Sequence, residues 1–232
     1  MKINLIKEDI TKLNVEATVL PANIDLKEGK GVSEAIFKAA GKRKLTHACK
    51  EIGFCEPGGA VPTPGFKLPS SYIIHAVVPK WIDGQHYEYE MLSASYLSAL
   101  SVADVMGCKT IAFPLLASGN NKFSKELALE IAINSIETYV PKSLKSVFLV
   151  LYTDKECKEA NKYGYEIMNT SQYDQNIDIK EWMERGQKIA KEFVQEQVNT
   201  ALSWLEVKEN RDKIVDNGIK IVARMWKKYK NK

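Results

Sequence analysis

Hydrophobic positions along the first 168 residues switch between two spacings, and that switching predicts the architecture. Short apolar or alternating runs occur at residues 1–6, 17–20, 72–78 (YIIHAVV), 110–113 and 147–152. They have strand length and are rich in Val, Ile, Leu and Phe, as buried strands are. Between them, apolar residues recur every three or four positions, so helices are expected over residues 32–40, 42–52, 88–106, 125–139 and 154–168. The longest is carried by Leu92, Tyr96, Ala99, Leu100 and Ala103. Ser124 is placed to cap the fourth helix, and Glu126 complements its positive end. Pro21 and Pro114 each close a strand. Residues 58–66, with three glycines and two prolines, are turn-rich and leave room for one short strand. This alternation predicts a three-layer α/β/α domain with helices on both faces of a mixed, mainly parallel sheet.

The spacing changes after residue 169. Residues 170–178 are polar and read as a linker. Then Ile179, Trp182, Met183, Ile189, Phe193, Val194, Val198, Ala201, Leu202 and Leu205 recur at helical intervals. A second stripe, Val215, Ile219, Val222, Met225 and Trp226, precedes the basic residues 227–232. Both are expected to be amphipathic helices. The chain therefore divides into a domain at residues 1–169 and a helical C-terminal extension at 170–232. The apolar stripes of the extension need a partner, which predicts packing on the domain or self-association through these helices.

Composition narrows the function classes. Hydrophobic residues at 45% and charged residues at 27% fit a soluble domain with a proper core. The net charge of +4 suits an anionic ligand but falls short of a dedicated nucleic-acid binder. Four cysteines without a C-x-x-C pairing read as reduced thiols, and with three histidines a metal site is not expected. The N-terminal residues lack a signal-peptide core, and no run of about 18 apolar residues could span a membrane. The expected location is the cytoplasm.

Two strand-to-helix loops carry the candidate chemistry. Residues 21–36 (PANIDLKEGKGVSEAI) pass Gly29 and Gly31 before entering a helix, where free N–H groups can donate to a phosphate. Residues 113–123 (FPLLASGNNKF) offer Ser118, Gly119, Asn120 and Asn121, small and polar enough to form a second anion-receiving concavity. At the C-terminal ends of strands in one sheet, such loops form a ligand crevice. Lys30 is either a phosphate partner or a solvated loop lysine. His75, inside an apolar strand, reads as a core histidine, Cys55 as a small semi-buried hydrophobe, and Trp81 as packing against the helix that follows it.

Glu8-Asp9-Ile10-Thr11, residues 19–23, residues 29–41 ending Ala39-Ala40-Gly41, Pro64-Gly65, Leu68-Pro69, residues 72–75, residues 79–81, residues 111–114 and Ser118-Gly119 follow one another as in macro domains. Over residues 1–168 the sequence resembles that family, and its second loop and the strand ending Val150-Leu151-Tyr152 look most like the macro-histone branch. The resemblance implies a site for ADP-ribose or ADP-ribosylated protein, with no cofactor beyond that ligand. Asp9, with Ile10 beside it, matches the acid that accepts from the adenine amino group. Asn23 matches the residue facing the distal ribose. Gly29, Lys30, Gly31, Val32 and Ser33 match the loop around the pyrophosphate. Ala117, Ser118, Gly119, Asn120, Asn121 and Phe123 match the second phosphate loop, and Tyr152 the aromatic against adenine.

The departures bear on catalysis. Leu20-Pro21 replaces the first half of the family's Asn-Ala-Ala-Asn, and Glu28-Gly29-Lys30-Gly31 replaces a run of glycines. Ser33 stands where hydrolytic members carry an Asp, and Asn121 where many keep an aromatic. A hydroxyl cannot serve as a carboxylate base near neutral pH. The resemblance therefore implies a binding module first, with removal of ADP-ribose from acidic side chains as the alternative. An RNA-binding or scaffold role is a third reading.

Overall fold

The structure, a computed structural model, describes residues 1–162 and 166–168. The expected linker and C-terminal helices at 170–232, and the self-association assigned to them, lie outside the described residues. The strands are β1 (Lys2–Lys7), β2 (Ala17–Ala22), β3 (Ala60–Pro64), β4 (Tyr72–Val77), β5 (Thr110–Pro114), β6 (Ser146–Leu151) and β7 (Ile167–Met168). They form one sheet in the order β3-β4-β2-β5-β6-β1-β7. β3 runs antiparallel to β4, and every other neighbouring pair is parallel. Parallel strands are covered on both faces, which is why β4 is buried at all six of its positions.

The helices are α1 (Val32–Ala40), α2 (Lys42–Ile52), α3 (Glu88–Val105), α4 (Lys125–Thr138) and α5 (Asp154–Lys162), with a short 3₁₀ turn at Ile10–Lys12. Ile36 and Phe37 of α1 and Leu45 and Cys49 of α2 share a core with Ile6, Leu20, Ile73, Ala112, Phe148 and Val150. Residues one step along the strands face the other way. There the Tyr96 ring of α3 lies 5.2 Å from that of Phe113. Ser93 of α3 and Ser135 of α4 are 2.9 Å apart through their hydroxyls, so α4 lies beside α3. The expected three layers are present.

Two expectations are corrected. The helix predicted over 154–168 ends at Lys162, and the two-residue strand β7 follows at the sheet edge, paired with Leu5 and Ile6. The stop signal was in the sequence, since Gly164 follows the last helical residue by two positions. β2 runs through Pro21 to Ala22 rather than stopping before it. The Ala22 carbonyl accepts from Val78 N–H, so Ala22 turns its polar groups toward β4 and Pro21 turns toward β5. The β2–β5 ladder has ended by then, at Thr18 and Ala112, so the N–H that proline lacks is not needed.

His75 is fully buried, as a core residue should be. Its Nε2 lies 2.9 Å from Thr63 Oγ1, and burial lowers its pKa to about 3, so the ring is neutral. Asp104 organises the approach to β6. Its carboxylate accepts from the Tyr139 hydroxyl and from the backbone N–H groups of Lys142, Ser143 and Leu144. Among the described residues, no helix is long and apolar enough to cross a membrane.

Candidate functional site

The sheet order sets the C-terminal ends of β2, β5, β6 and β1 side by side. β2 and β5 pair only at Ala17–Ile111 and Thr18–Ala112. Beyond those pairs the chain leaves β2 for α1 and the β3–β4 side, and leaves β5 for α4 and the β6 side. Two neighbouring parallel strands whose connections diverge leave a crevice, the usual ligand position in such sheets. Every sequence-predicted site residue lies in a segment leaving one of these four strands. Asp9 and Ile10 follow β1, Asn23 to Ser33 follow β2, Ala117 to Phe123 follow β5, and Tyr152 follows β6.

The first loop holds itself in shape. Asn23 donates through Nδ2 to the Lys27 carbonyl at 2.8 Å and accepts from Lys27 N–H at 3.0 Å. An amide can make four hydrogen bonds, so half of its capacity is left for a ligand. Leu26 sits at φ 55 with only 1% of its surface exposed. Left-handed backbone costs a leucine about 1–2 kcal/mol, and burying its side chain returns about 1.5–3 kcal/mol, so the plug is stable. Glu28 pairs with Lys42 at 2.7 Å and Asp25 with Lys27 at 2.7 Å.

Gly31, at φ 67, is the N-cap of α1, and no side chain caps the helix. The N–H groups of Gly31, Val32 and Ser33 have no partner among the described residues, and the helix dipole adds partial positive charge at this point. Ser33 is buried at 3% exposure, and its Oγ accepts from Gly29 N–H at 3.0 Å. In this chain the position that departs from the hydrolytic Asp is a loop fastener. Lys30 is exposed and has no resolved ion pair among the described residues.

The second loop is held from outside as well as by its own bonds. Leu116 N–H donates to the buried Tyr96 hydroxyl at 2.9 Å, and Ser118 Oγ donates to the Leu115 carbonyl at 2.9 Å. Asn121 donates through Nδ2 to the carbonyls of Val78 and Pro79, at 3.3 and 2.7 Å, and its own carbonyl accepts from Trp81 N–H at 2.8 Å. Ala117 and Lys122 take positive φ, 60 and 66, turning the intervening backbone outward. The N–H groups of Ser118, Gly119, Asn120 and Asn121 have no partner among the described residues. Phe123 is 3% exposed and lies 5.2 Å from the Trp81 ring, which also meets Tyr89 of α3 edge-on at 5.4 Å. Phe123 supports the loop from behind, and Ile10 is likewise a core residue.

At the β6–β1 end, Tyr152 is 75% exposed, leaving its ring open for stacking. Its N–H donates to Glu156, which also accepts from Thr153 N–H and pairs with Lys125 of α4. Burial pushes the Glu156 pKa up, but Lys125 and these N–H groups outweigh it and hold the carboxylate below its ordinary range. Asp9 Oδ1 accepts from Thr11 N–H at 3.0 Å and Thr11 Oγ1 at 2.7 Å. Among the described residues its Oδ2 has only Lys12 at 3.9 Å, so one oxygen of Asp9 is open to an incoming donor.

Sequence reasoning missed two fastenings. One is the Asn121 latch onto Val78, Pro79 and Trp81, which no local pattern announces. The other is Glu88, whose carboxylate accepts from the N–H groups of Ile82, Asp83, Gly84 and His86. Burial acts against it, yet the backbone N–H groups of Gly84, Glu88, His86 and Asp83 lower its pKa to about 2. A carboxylate at a helix start is a readable signal for such a role. Asp83, His86 and Glu88 bring ligand atoms within 4.8 Å of one another. The Glu88 oxygens are already engaged by backbone donors, so the cluster is accounted for without an ion.

Comparison with known proteins agrees with this geometry. The family model described as Macro domain matches residues 19–132. A macro domain-containing protein of Chlorobaculum tepidum is 39% identical over 156 residues, which are 66% of this chain and 90% of that protein. The O-acetyl-ADP-ribose deacetylase of Escherichia fergusonii is 35% identical over 69% of this chain and 94% of its own length. Among solved structures, a variant of the Oceanobacillus iheyensis macrodomain with ADPR superposes with a TM-score of 0.64 at 30% identity, covering 68% of this chain and 89% of the other. The Trypanosoma brucei macrodomain in complex with ADP-ribose gives 0.63 at 27% identity, covering 70% and 69%. The chain belongs to the macro domain family.

Proposed function

We propose that this macro-domain chain binds ADP-ribose, free or attached to protein, in the crevice between β2 and β5. One observation carries the reading. The uncapped N-terminus of α1 and the unpartnered N–H groups of residues 118–121 lie at the ends of adjacent strands, a pair of donors suited to a pyrophosphate. Asp9 and the exposed Tyr152 extend the site toward β6 and β1 for adenine, and Asn23 serves the distal ribose. Similar proteins crystallised with ADPR or ADP-ribose support the choice of ligand. The second loop and the strand ending Val150-Leu151-Tyr152 are the basis for a likeness to the macro-histone branch. Calorimetric titration is expected to give a dissociation constant on the order of micromolar, near −8 kcal/mol. Absence of heat or saturation up to roughly millimolar ligand would sink the reading.

The relatives that carry the name O-acetyl-ADP-ribose deacetylase favour a second reading, hydrolysis of an ADP-ribosyl or acyl ester. In the loop leaving β2, Asp25 and Glu28 are paired and Ser33 is engaged with Gly29. Catalysis there would depend on substrate positioning or on the exposed Glu34 in the first turn of α1, so turnover is expected to be slow or absent. A cleavage assay on mono-ADP-ribosylated protein, run beside the titration, separates the two. Robust turnover that disappears in Asn23→Ala would make the second reading correct.

A further inference from the structure

Two large apolar side chains stand exposed at the β4 side of the crevice. Ile24, which directly follows Asn23, is 48% exposed, and Phe54, just beyond α2, is 61% exposed. They come from separate segments that the main chain holds together, because Cys55 N–H donates to the Ile24 carbonyl at 3.0 Å. Gly53, at φ 91, turns the chain out of α2, and Cys55 is buried while Phe54 projects. Scattered surface hydrophobics need no explanation, but two fixed side by side at the rim of a ligand crevice do.

The order of the strands gives this pair a direction. With adenine at the β6–β1 end and the phosphates between β2 and β5, the terminal ribose points toward the β2–β4 side. In that pose, whatever is attached to that ribose leaves the crevice past Asn23, and Ile24 and Phe54 stand exposed beside that position. Resting on the ADP-ribose reading, we propose that these two residues form an apolar shelf for the protein that carries the modification. The shelf favours targets with a large apolar residue next to the modified side chain. A small acyl group would stay inside the crevice and gain nothing from side chains that project this far into solvent. An apolar side chain of a bound polypeptide matches them in reach. The ion-paired Asp25 and Lys27, with the exposed Glu56, supply the polar rim expected around such a contact.

The test uses the full chain and three probes: free ADP-ribose and two peptides ADP-ribosylated on a serine, one flanked by leucines and one by serines. The leucine peptide is expected to bind about tenfold more tightly than the serine peptide. Phe54→Ser and Ile24→Ser should erase that difference while leaving free ADP-ribose affinity within about twofold, because neither residue is assigned to the nucleotide. Both side chains are exposed, and circular dichroism melts check that the variants fold. Equal affinity of the two peptides for the natural chain overturns the shelf alone. So does a variant that weakens free ADP-ribose as much as the leucine peptide. Failure of the natural chain to bind free ADP-ribose overturns the underlying reading and the shelf with it.

Discussion

The two loops at the crevice present backbone donors by different means. The loop after β2 is fastened from within, by Asn23 on Lys27, Ser33 on Gly29 and the buried Leu26. It delivers the chain into a helix whose first N–H groups are uncapped. The loop after β5 is closed by Ser118 on Leu115 and is also fastened from without, through Tyr96 and through the Asn121 latch on Val78, Pro79 and Trp81. Its helix is closed, because the Ser124 hydroxyl accepts from Leu127 N–H at 3.1 Å. The first loop thus offers a helix terminus with its dipole, and the second only local amides. An anion should depend more on the first, since a helix N-terminus concentrates about half a positive charge where the amides point.

Substitution at the two glycines breaks or supports that ranking. Gly31→Glu places a carboxylate at the helix start and forces a side chain onto φ 67, although a Cβ there meets no atom within 4 Å. ADP-ribose affinity is expected to fall by roughly 100-fold, about 2.8 kcal/mol, measured by calorimetry. Gly119→Glu puts the same charge in the second loop, where a Cβ is also unobstructed and the backbone is not left-handed. The expected loss is about tenfold. A loss at Gly119 equal to that at Gly31 would show that the dipole contributes nothing and the loops are equivalent.

Ser33→Asp asks whether the first loop can be returned to the hydrolytic form. The new carboxylate can still accept from Gly29 N–H, so the loop should close as before. General-base assistance is worth about 10²–10⁴-fold in a competent site, and this site lacks the aromatic partner at Asn121. The expected gain in cleavage of mono-ADP-ribosylated protein is therefore smaller, about tenfold over the natural chain. No gain, with ADP-ribose binding preserved, would mean that the carboxylate does not reach a water at the distal ribose. The next effect in size is Asn121→Ala, which removes the two side-chain bonds to Val78 and Pro79 in the segment after β4. Affinity for ADP-ribose should fall about threefold, with each lost hydrogen bond costing roughly 1 kcal/mol in a denaturant melt.

The element pattern was legible because strands and helices impose different spacings on the sequence, and helix bounds such as Val32–Ala40 and Lys42–Ile52 emerged unchanged. The Ser124 cap was legible for a related reason, since capping is a local bond between neighbours in sequence. What was hidden depends on partners far along the chain. Pro21 looks like a strand end until β5 is seen to part from β2 beside it. The residues 166–168 look like the tail of a helix until β1 offers them an edge. Asn121 reads as a ligand residue, but its amide is committed to carbonyls 42 and 43 positions away. Ser33 was recognised as a lost carboxylate, and only the geometry shows what its hydroxyl does instead.

The smallest effect on binding is expected at Ser124, and it is the cleanest check on the contrast between the two helices. Ser124→Ala removes the side chain that accepts Leu127 N–H and so uncaps α4. Loss of an N-cap typically costs about 1 kcal/mol of stability, which a thermal or denaturant melt should register. If α4 stood in the ligand's path as α1 does, freeing a helix-terminal N–H would strengthen phosphate binding. The amides assigned to the second loop lie at residues 118–121, ahead of that helix, so ADP-ribose affinity should stay within about twofold. A clear rise in affinity on uncapping would place the phosphate at the start of α4 instead, and both loops would then present the same device.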